Sequence, residues 1–180
     1  MLFEKTKIQD AYIIKPERRV DERGFFSRMY CIEELIEQKI DFNIFQVNTS
    51  FCKYKGTVRG LHYQKPPYEE AKLLRCSHGS IFDVIIDLRP TSSSYLKWFG
   101  VELNEDNAWM IFIPKGCAHG FLSLKDETMV SYMVDAAYEP SAEGAIRYDD
   151  PFFKIKWPIS ISTVSEKDHS IPNFKLIYPL

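Results

Sequence analysis

The chain has 180 residues, of which 45% are hydrophobic, 14% aromatic and 27% charged. That is enough for a single domain over residues 1–180 with a full core and no need of disulfides or a structural metal. Its 13 Phe, 10 Tyr and 3 Trp exclude a disordered chain, and 23 basic against 25 acidic side chains leave no charged footprint for a nucleic-acid polymer or an anionic membrane.

Taken in chain order, the opening residues Met1 to Lys7 are charged and lack the apolar stretch of a signal peptide, so a cytoplasmic location is expected. Residues Cys31 to Ile40 predict a helix. Ile32, Leu35, Ile36 and Ile40 share one face, with Glu33, Glu34 and Lys39 turned outward. From residue 44 onward the pattern changes to extended segments broken by Pro, Gly, Asn and Asp. The clearest is Ile81 to Arg89, with Phe82, Val84, Ile86 and Leu88 on one face and Ile81, Asp83, Ile85 and Asp87 on the other. Carboxylates among apolar neighbours suit an inner strand that also lines a polar pocket. Further strands are expected at Trp98 to Leu103, Trp109 to Ile113 and Thr128 to Val134. The apolar run at Trp109 stops at Pro114, too short to cross a bilayer. Many strands, one early helix and no alternating helices predict a mainly β fold, an antiparallel sandwich or jelly roll, and disfavour a parallel α/β sheet. The cysteines Cys31, Cys52, Cys76 and Cys117 show no paired spacing and read as reduced packing residues.

Histidine is scarce, and His62 and His119 both sit beside glycines, in Gly60-Leu61-His62 and His119-Gly120. Taken singly, each suits a hydrogen-bonded core position. No His recurs at metal-ligand spacing and the residue two beyond His62 is Gln64, so a catalytic metal is not expected. Acid and base chemistry is the better reading. A carboxylate holding one ring nitrogen would make His62 a base, and Asp83, Asp87 and Asp168 all qualify. An inward ammonium at Lys72 would stabilise negative charge on an oxygen.

The segments Asp21 to Phe26, Gln46 to Ser50, Lys55 to Gln64, Ala71 to Arg75, Phe82 to Arg89, Ile113 to Phe121, Glu143 to Pro151, Trp157-Pro158 and Ser165 to Asp168 together resemble the dTDP-4-dehydrorhamnose 3,5-epimerase family. They run in order across nearly the whole chain. The resemblance implies a cupin-type jelly roll, usually a homodimer, using neither metal nor organic cofactor and acting on a dTDP-linked 4-keto-6-deoxyhexose. It implies that His62 removes the proton beside the C4 ketone with Asp168 as its carboxylate, that Lys72 stabilises the enolate oxygen, and that Tyr132 returns a proton from the opposite face. By the same resemblance Arg23, Phe26, Gln46, Asn48, Arg59, His119, Glu143 and Lys167 contact the sugar or nucleotide. The aromatic surplus gives a further expectation, that Phe25, Phe26 and Tyr138 flank a nucleobase and sugar. Tyr132 shares strand parity with Val130 and Val134, which alone would suit a core position.

Two residues depart from the family pattern. Arg28 stands where a Glu is usual, and Met133 where a Lys commonly follows the tyrosine. A guanidinium in place of a carboxylate reverses the sense of any hydrogen bond there, so a sugar or nucleotide other than the family's usual one is an alternative expectation. The other alternative is epimerisation at C3 or C5 alone, or on a related nucleotide-linked 4-keto-deoxysugar or heptose. A metal-dependent oxygenase and a non-catalytic sugar-nucleotide binder are the readings from other classes. Bound metal would mark the first, and ligand affinity without turnover the second.

Overall fold

The computed structural model describes residues 1–175. Its strands are β1 (Leu2–Lys5), β2 (Tyr12–Lys15), β3 (Arg19–Asp21), β4 (Gly24–Phe26), β5 (Gln46–Cys52), β6 (Val58–Gln64), β7 (Lys72–His78), β8 (Ser80–Asp87), β9 (Trp98–Asn104), β10 (Met110–Ile113), β11 (Cys117–Ser123), β12 (Thr128–Val134) and β13 (Glu143–Ala145). Two short helices, α1 (Ile32–Glu37) and α2 (Glu166–His169), complete the elements that matter here.

A six-stranded sheet in the order β1, β2, β10, β7, β12, β5 faces a five-stranded sheet in the order β13, β6, β11, β8, β9, and β3 with β4 forms a separate hairpin. Pairing within the ladders is antiparallel. From β5 to β12 each successive strand changes sheet except at β8 to β9, which makes the expected jelly roll. Such switching brings residues remote in sequence onto the two inner walls of one sandwich. No helix among the described residues is long and apolar enough to cross a membrane.

Alternation along each strand sorts the core into layers. Leu74, Cys76, Ile111, Ile113 and Val130 of the larger sheet meet Ile81, Ile85, Leu103, Cys117 and Phe121 of the smaller one. The faces expected for β8 are the ones observed: Ile81, Asp83 and Ile85 point inward, while Val84 and Ile86 join an outer cluster with Val58, Leu61, Ile146, Tyr148 and Phe153. Strands apolar on both faces are covered here by the chain itself. The segment after β13 lies over the outer face of the smaller sheet, and α1 with the N-terminal strands covers that of the larger one.

The helix is shorter than its periodicity predicts. It ends at Glu37, and Lys39 takes a positive φ of 62° as the chain turns. Leu35 and Ile40 still reach the outer cluster, whereas Ile32 and Ile36 remain exposed on the flank. With so few turns the helix seats only a narrow apolar edge.

Candidate active site

Between the two sheets opens a cleft of about 450 Å³ that gathers Arg59, His62, Lys72, His119, Tyr132, Lys167 and Asp168. The positions are far apart in sequence, and the jelly-roll crossovers unite them. His62 and Arg59 come from β6, His119 from β11, Lys72 from β7 and Tyr132 from β12. His62 and His119 are direct partners in the β6–β11 ladder, so the two imidazoles stand side by side.

The neighbouring glycines serve backbone approach. Gly60 has φ +110°, and a Cβ there would lie 2.7 Å from both the Gly120 Cα and the His119 carbonyl oxygen. A Cβ on Gly120 would come within 2.5 Å of the Arg59 carbonyl oxygen. The two strands therefore press together where the register shifts between His119 and Phe121.

Of the three carboxylates open to His62, the fold selects Asp168. Its Oδ1 lies 2.7 Å from His62 Nε2, and its Oδ2 accepts a bond from the Gly60 N–H at 3.3 Å. Asp168 is only 4% exposed. It sits on α2, whose first turn is capped by Ser165: the Asp168 N–H donates to Ser165 Oγ at 3.1 Å. Burial by itself would raise the Asp168 pKa, but the bond and charge of His62, with Gly60 and Ser165, more than offset it and hold the carboxyl below its ordinary range. With Nε2 engaged by the carboxylate, Nδ1 is the ring nitrogen left for chemistry.

Asp83 is taken by the other histidine. His119, 7% exposed, places Nε2 2.7 Å from Asp83 Oδ2, and the second Asp83 oxygen is buried with no hydrogen-bond partner among the described residues. Asp87 does not line the cleft. At the end of β8 it receives Arg89, Ser92 and Ser94 and anchors the loop that follows.

Lys72 and Tyr132 lie on the opposite wall. The Lys72 Nζ is 3.1 Å from Glu70 Oε1, with the two side chains 12% and 13% exposed. Tyr132 is half buried, and its hydroxyl bonds no group among the described residues. Burial first, and the Glu70 charge second, raise its phenol pKa, with Arg59 opposing. Gln46 and Asn48 of β5, with Tyr138 and Glu143, line an adjoining recess that shares His62, Lys72 and Tyr132. At its rim Glu143 accepts from Lys167 Nζ at 2.6 Å and from the Tyr138 hydroxyl at 2.5 Å. Arg59 donates to the Phe51 carbonyl at 2.9 Å.

Three expected contact residues, Arg23, Phe25 and Phe26, fall elsewhere, on the β3–β4 hairpin. Arg23, its side chain 83% exposed, pairs with Asp21 at the turn of the β3–β4 hairpin. Phe26, 66% exposed, lines a separate cleft with Arg18, Arg19, Arg28 and Glu34. The hairpin packs into neither sheet, so its motif could be read from sequence but its distance from the pocket could not. The departures from the family pattern also lie outside this cleft: Arg28 bonds Glu34 at 2.7 Å, and Met133 turns to the outer cluster with Leu73 and Phe112. Among the described residues, no three His, Cys, Asp or Glu side chains converge as metal ligands. Sequence reading missed Glu70. Its signal was the two-residue spacing to Lys72, which on extended backbone puts both on one face.

An antiparallel jelly roll whose inner walls turn a carboxylate-held imidazole, an ammonium and a phenol into one cleft defines a class of small-molecule acid–base isomerases. The family model for dTDP-4-dehydrorhamnose 3,5-epimerase matches residues 5–175, and the chain belongs to that family. It is 38% identical over 174 residues to the dTDP-4-dehydrorhamnose 3,5-epimerase of Sinorhizobium fredii, covering 96% of this chain and 89% of that protein. Among solved structures, that of the Elizabethkingia anophelis dTDP-4-dehydrorhamnose 3,5-epimerase superposes with a TM-score of 0.93 at 36% identity, over 97% of this chain and 96% of that one. The Legionella pneumophila 3,5-epimerase, solved in complex with dTDP-4-keto-L-rhamnose, superposes with a TM-score of 0.87 at 33% identity, over 97% and 99%.

Proposed function

We propose that this chain is a cofactor-independent isomerase that inverts C3 and C5 of dTDP-4-dehydro-6-deoxy-D-glucose to give dTDP-4-dehydro-L-rhamnose, in the cytoplasm, for L-rhamnose and surface polysaccharide. The observation that carries the reading is the placement of His62 and Tyr132 on opposing sheets of the sandwich, facing one cleft with Lys72 on its wall.

Both C3 and C5 adjoin the C4 ketone, so each carries an acidic proton. His62 Nδ1 takes that proton, and the C–H electron pair moves into the carbonyl to leave an enolate oxygen. Asp168 stabilises the imidazolium that forms, and the Lys72 ammonium stabilises the oxygen. Tyr132 then delivers its hydroxyl proton to the same carbon from the other face. Carbon is inverted, His62 carries one proton more and Tyr132 one fewer, and exchange with water resets both. A tyrosine hydroxyl is protonated at neutral pH and can serve as that donor. His119 contacts the sugar, Arg59 and Lys167 meet the diphosphate, and Gln46, Asn48 and Glu143 line the recess beside it.

A homodimer is part of the same proposal. Val20, Phe25 and Phe26 of the hairpin are exposed, as are Val47 and Phe51 along β5, an edge strand of the larger sheet, and Phe45 just before it. Association through these surfaces would cover an edge and let Arg23 and Phe26 serve the site of a second copy.

Incubation with the 4-keto sugar nucleotide in deuterated water tests the reading by NMR. Label at both C3 and C5 is expected. Label at neither carbon refutes it, and label at one carbon alone replaces it with a single-carbon epimerase.

A further inference from the structure

We propose that Glu70 is a positioning residue of the cleft: its carboxylate anchors the Lys72 ammonium against the inner wall and keeps a negative charge beside Tyr132. The inference rests on the function proposed above and adds to it a residue whose side chain would act only through its neighbours.

The supporting geometry is specific. Glu70 and Lys72 are both nearly buried, and their charged ends are 3.1 Å apart. A lysine has a long flexible stem, and a buried ammonium with no partner is costly, so one fixed acceptor decides where the charge rests. The ammonium has three donors. The ion pair with Glu70 holds it from one side, which leaves donors for an oxygen in the cleft. A purely structural glutamate would be expected to brace backbone or loop. Among the described residues, Lys72 is the only partner of this carboxylate.

The same carboxylate acts on Tyr132 through space. It is, after burial, the next cause raising the phenol, so the proposed donor keeps its proton to higher pH than it would beside a neutral side chain. The other charged groups facing this corner are Arg59 and His62 from β6, Glu143 from β13, and Lys167 and Asp168 from α2. Arg59 opposes Glu70 at the phenol, and Glu143 is already engaged by Lys167.

Two substitutions separate anchor from charge. Glu70→Gln keeps size and an acceptor for Lys72 but removes the charge, and Glu70→Ala removes both. Steady-state rates on the 4-keto sugar nucleotide, measured from neutral to alkaline pH, are expected to split accordingly. For Glu70→Ala, kcat falls about tenfold or more while KM stays within about threefold, as loss of an oriented stabiliser of developing charge requires. For Glu70→Gln, kcat at neutral pH is largely kept, and the alkaline limb moves to lower pH. If Glu70→Ala fails to fold, the Glu70→Gln profile decides. Profiles that superimpose on the wild type, or a change confined to KM, overturn the proposal. A wild-type protein that introduces no deuterium overturns instead the function on which it rests.

Discussion

Replacing Asp168 with Asn tests the core of the site with almost no change in shape. The wild-type carboxylate accepts on both oxygens, from His62 Nε2 at 2.7 Å and from the Gly60 N–H at 3.3 Å. An asparagine has one acceptor and one donor end. The Gly60 N–H cannot turn away, so the amide oxygen goes to it and the NH2 faces His62. Nε2 must then accept, the ring proton moves to Nδ1, and the nitrogen facing the substrate loses the lone pair that makes it a base. The imidazolium also loses its counter-charge. A positioned general base contributes roughly 10²–10⁴-fold, or about 2.7–5.4 kcal/mol in the barrier, and most of this is expected to vanish from kcat/KM. Folding loses no more than about 1–3 kcal/mol, the scale of one altered buried hydrogen bond. Deuterium uptake at C3 and C5 followed by NMR, beside a thermal melt, separates the two effects. A well-folded Asp168→Asn protein that keeps more than about a tenth of wild-type kcat/KM would refute the reasoning, because a base in the wrong tautomer cannot do so.

Tyr132→Phe removes the proposed donor but leaves the base, so inversion is expected to drop by about 100-fold or more while label still enters the carbon from the His62 side. Inversion keeping pace with labelling would exclude Tyr132 as the acid. At Asp87, burial raises the pKa but the bonds from Arg89, Ser92 and Ser94 outweigh it and bring it from 3.8 to about 2. The folded value lies below the unfolded one, so this group's contribution of roughly 2 kcal/mol is present above about pH 4 and lost as pH falls toward 2. Calorimetry of Asp87→Asn should therefore show a lower melting temperature at neutral pH and a flatter acid limb, whereas curves parallel to the wild type would contradict the assignment. Burial pushes the Cys76 thiol up to about 11 and Cys117 up to about 12, and Cys52 is also buried. At pH 8 a thiol reagent should react readily with Cys31 alone in the folded protein and with all four after unfolding; fast reaction of a second thiol would contradict this packing.

The elements most legible in the sequence were those whose pattern is local. Alternation in β8 gave both of its faces, and the two inward carboxylates were visible there, because side-chain direction along a strand follows parity. Their destinations were not. Asp83 meets His119 only because β8 and β11 are neighbours, and Asp168 reaches His62 only because the closing segment folds back over β6. Pairing across the sandwich is set by topology, which no short window encodes. Family resemblance supplied Asp168 where spacing alone left three choices. It also supplied Arg23 and Phe26, whose place outside this chain's cleft depends on a hairpin that joins neither sheet. The overlong helix had another origin: Ile40 lies on the right face by count, yet it reaches the core after the turn at Lys39 rather than as part of the helix.

The closing segment has a consequence for the protein during its own synthesis. Chains emerge N-terminus first, and every strand of both sheets precedes Ser165. A chain cut short after β13 would hold His62, His119, Lys72 and Tyr132, yet not the carboxylate behind His62. Nor would the outer cluster on Val58, Leu61 and Val84 have its cover. Such a fragment would be chemically silent and greasy on one face, the kind of product that quality-control machinery recognises. The carboxylate partner of His62 and the cover of the outer cluster lie on one stretch of chain, so a fragment that lacks one lacks the other.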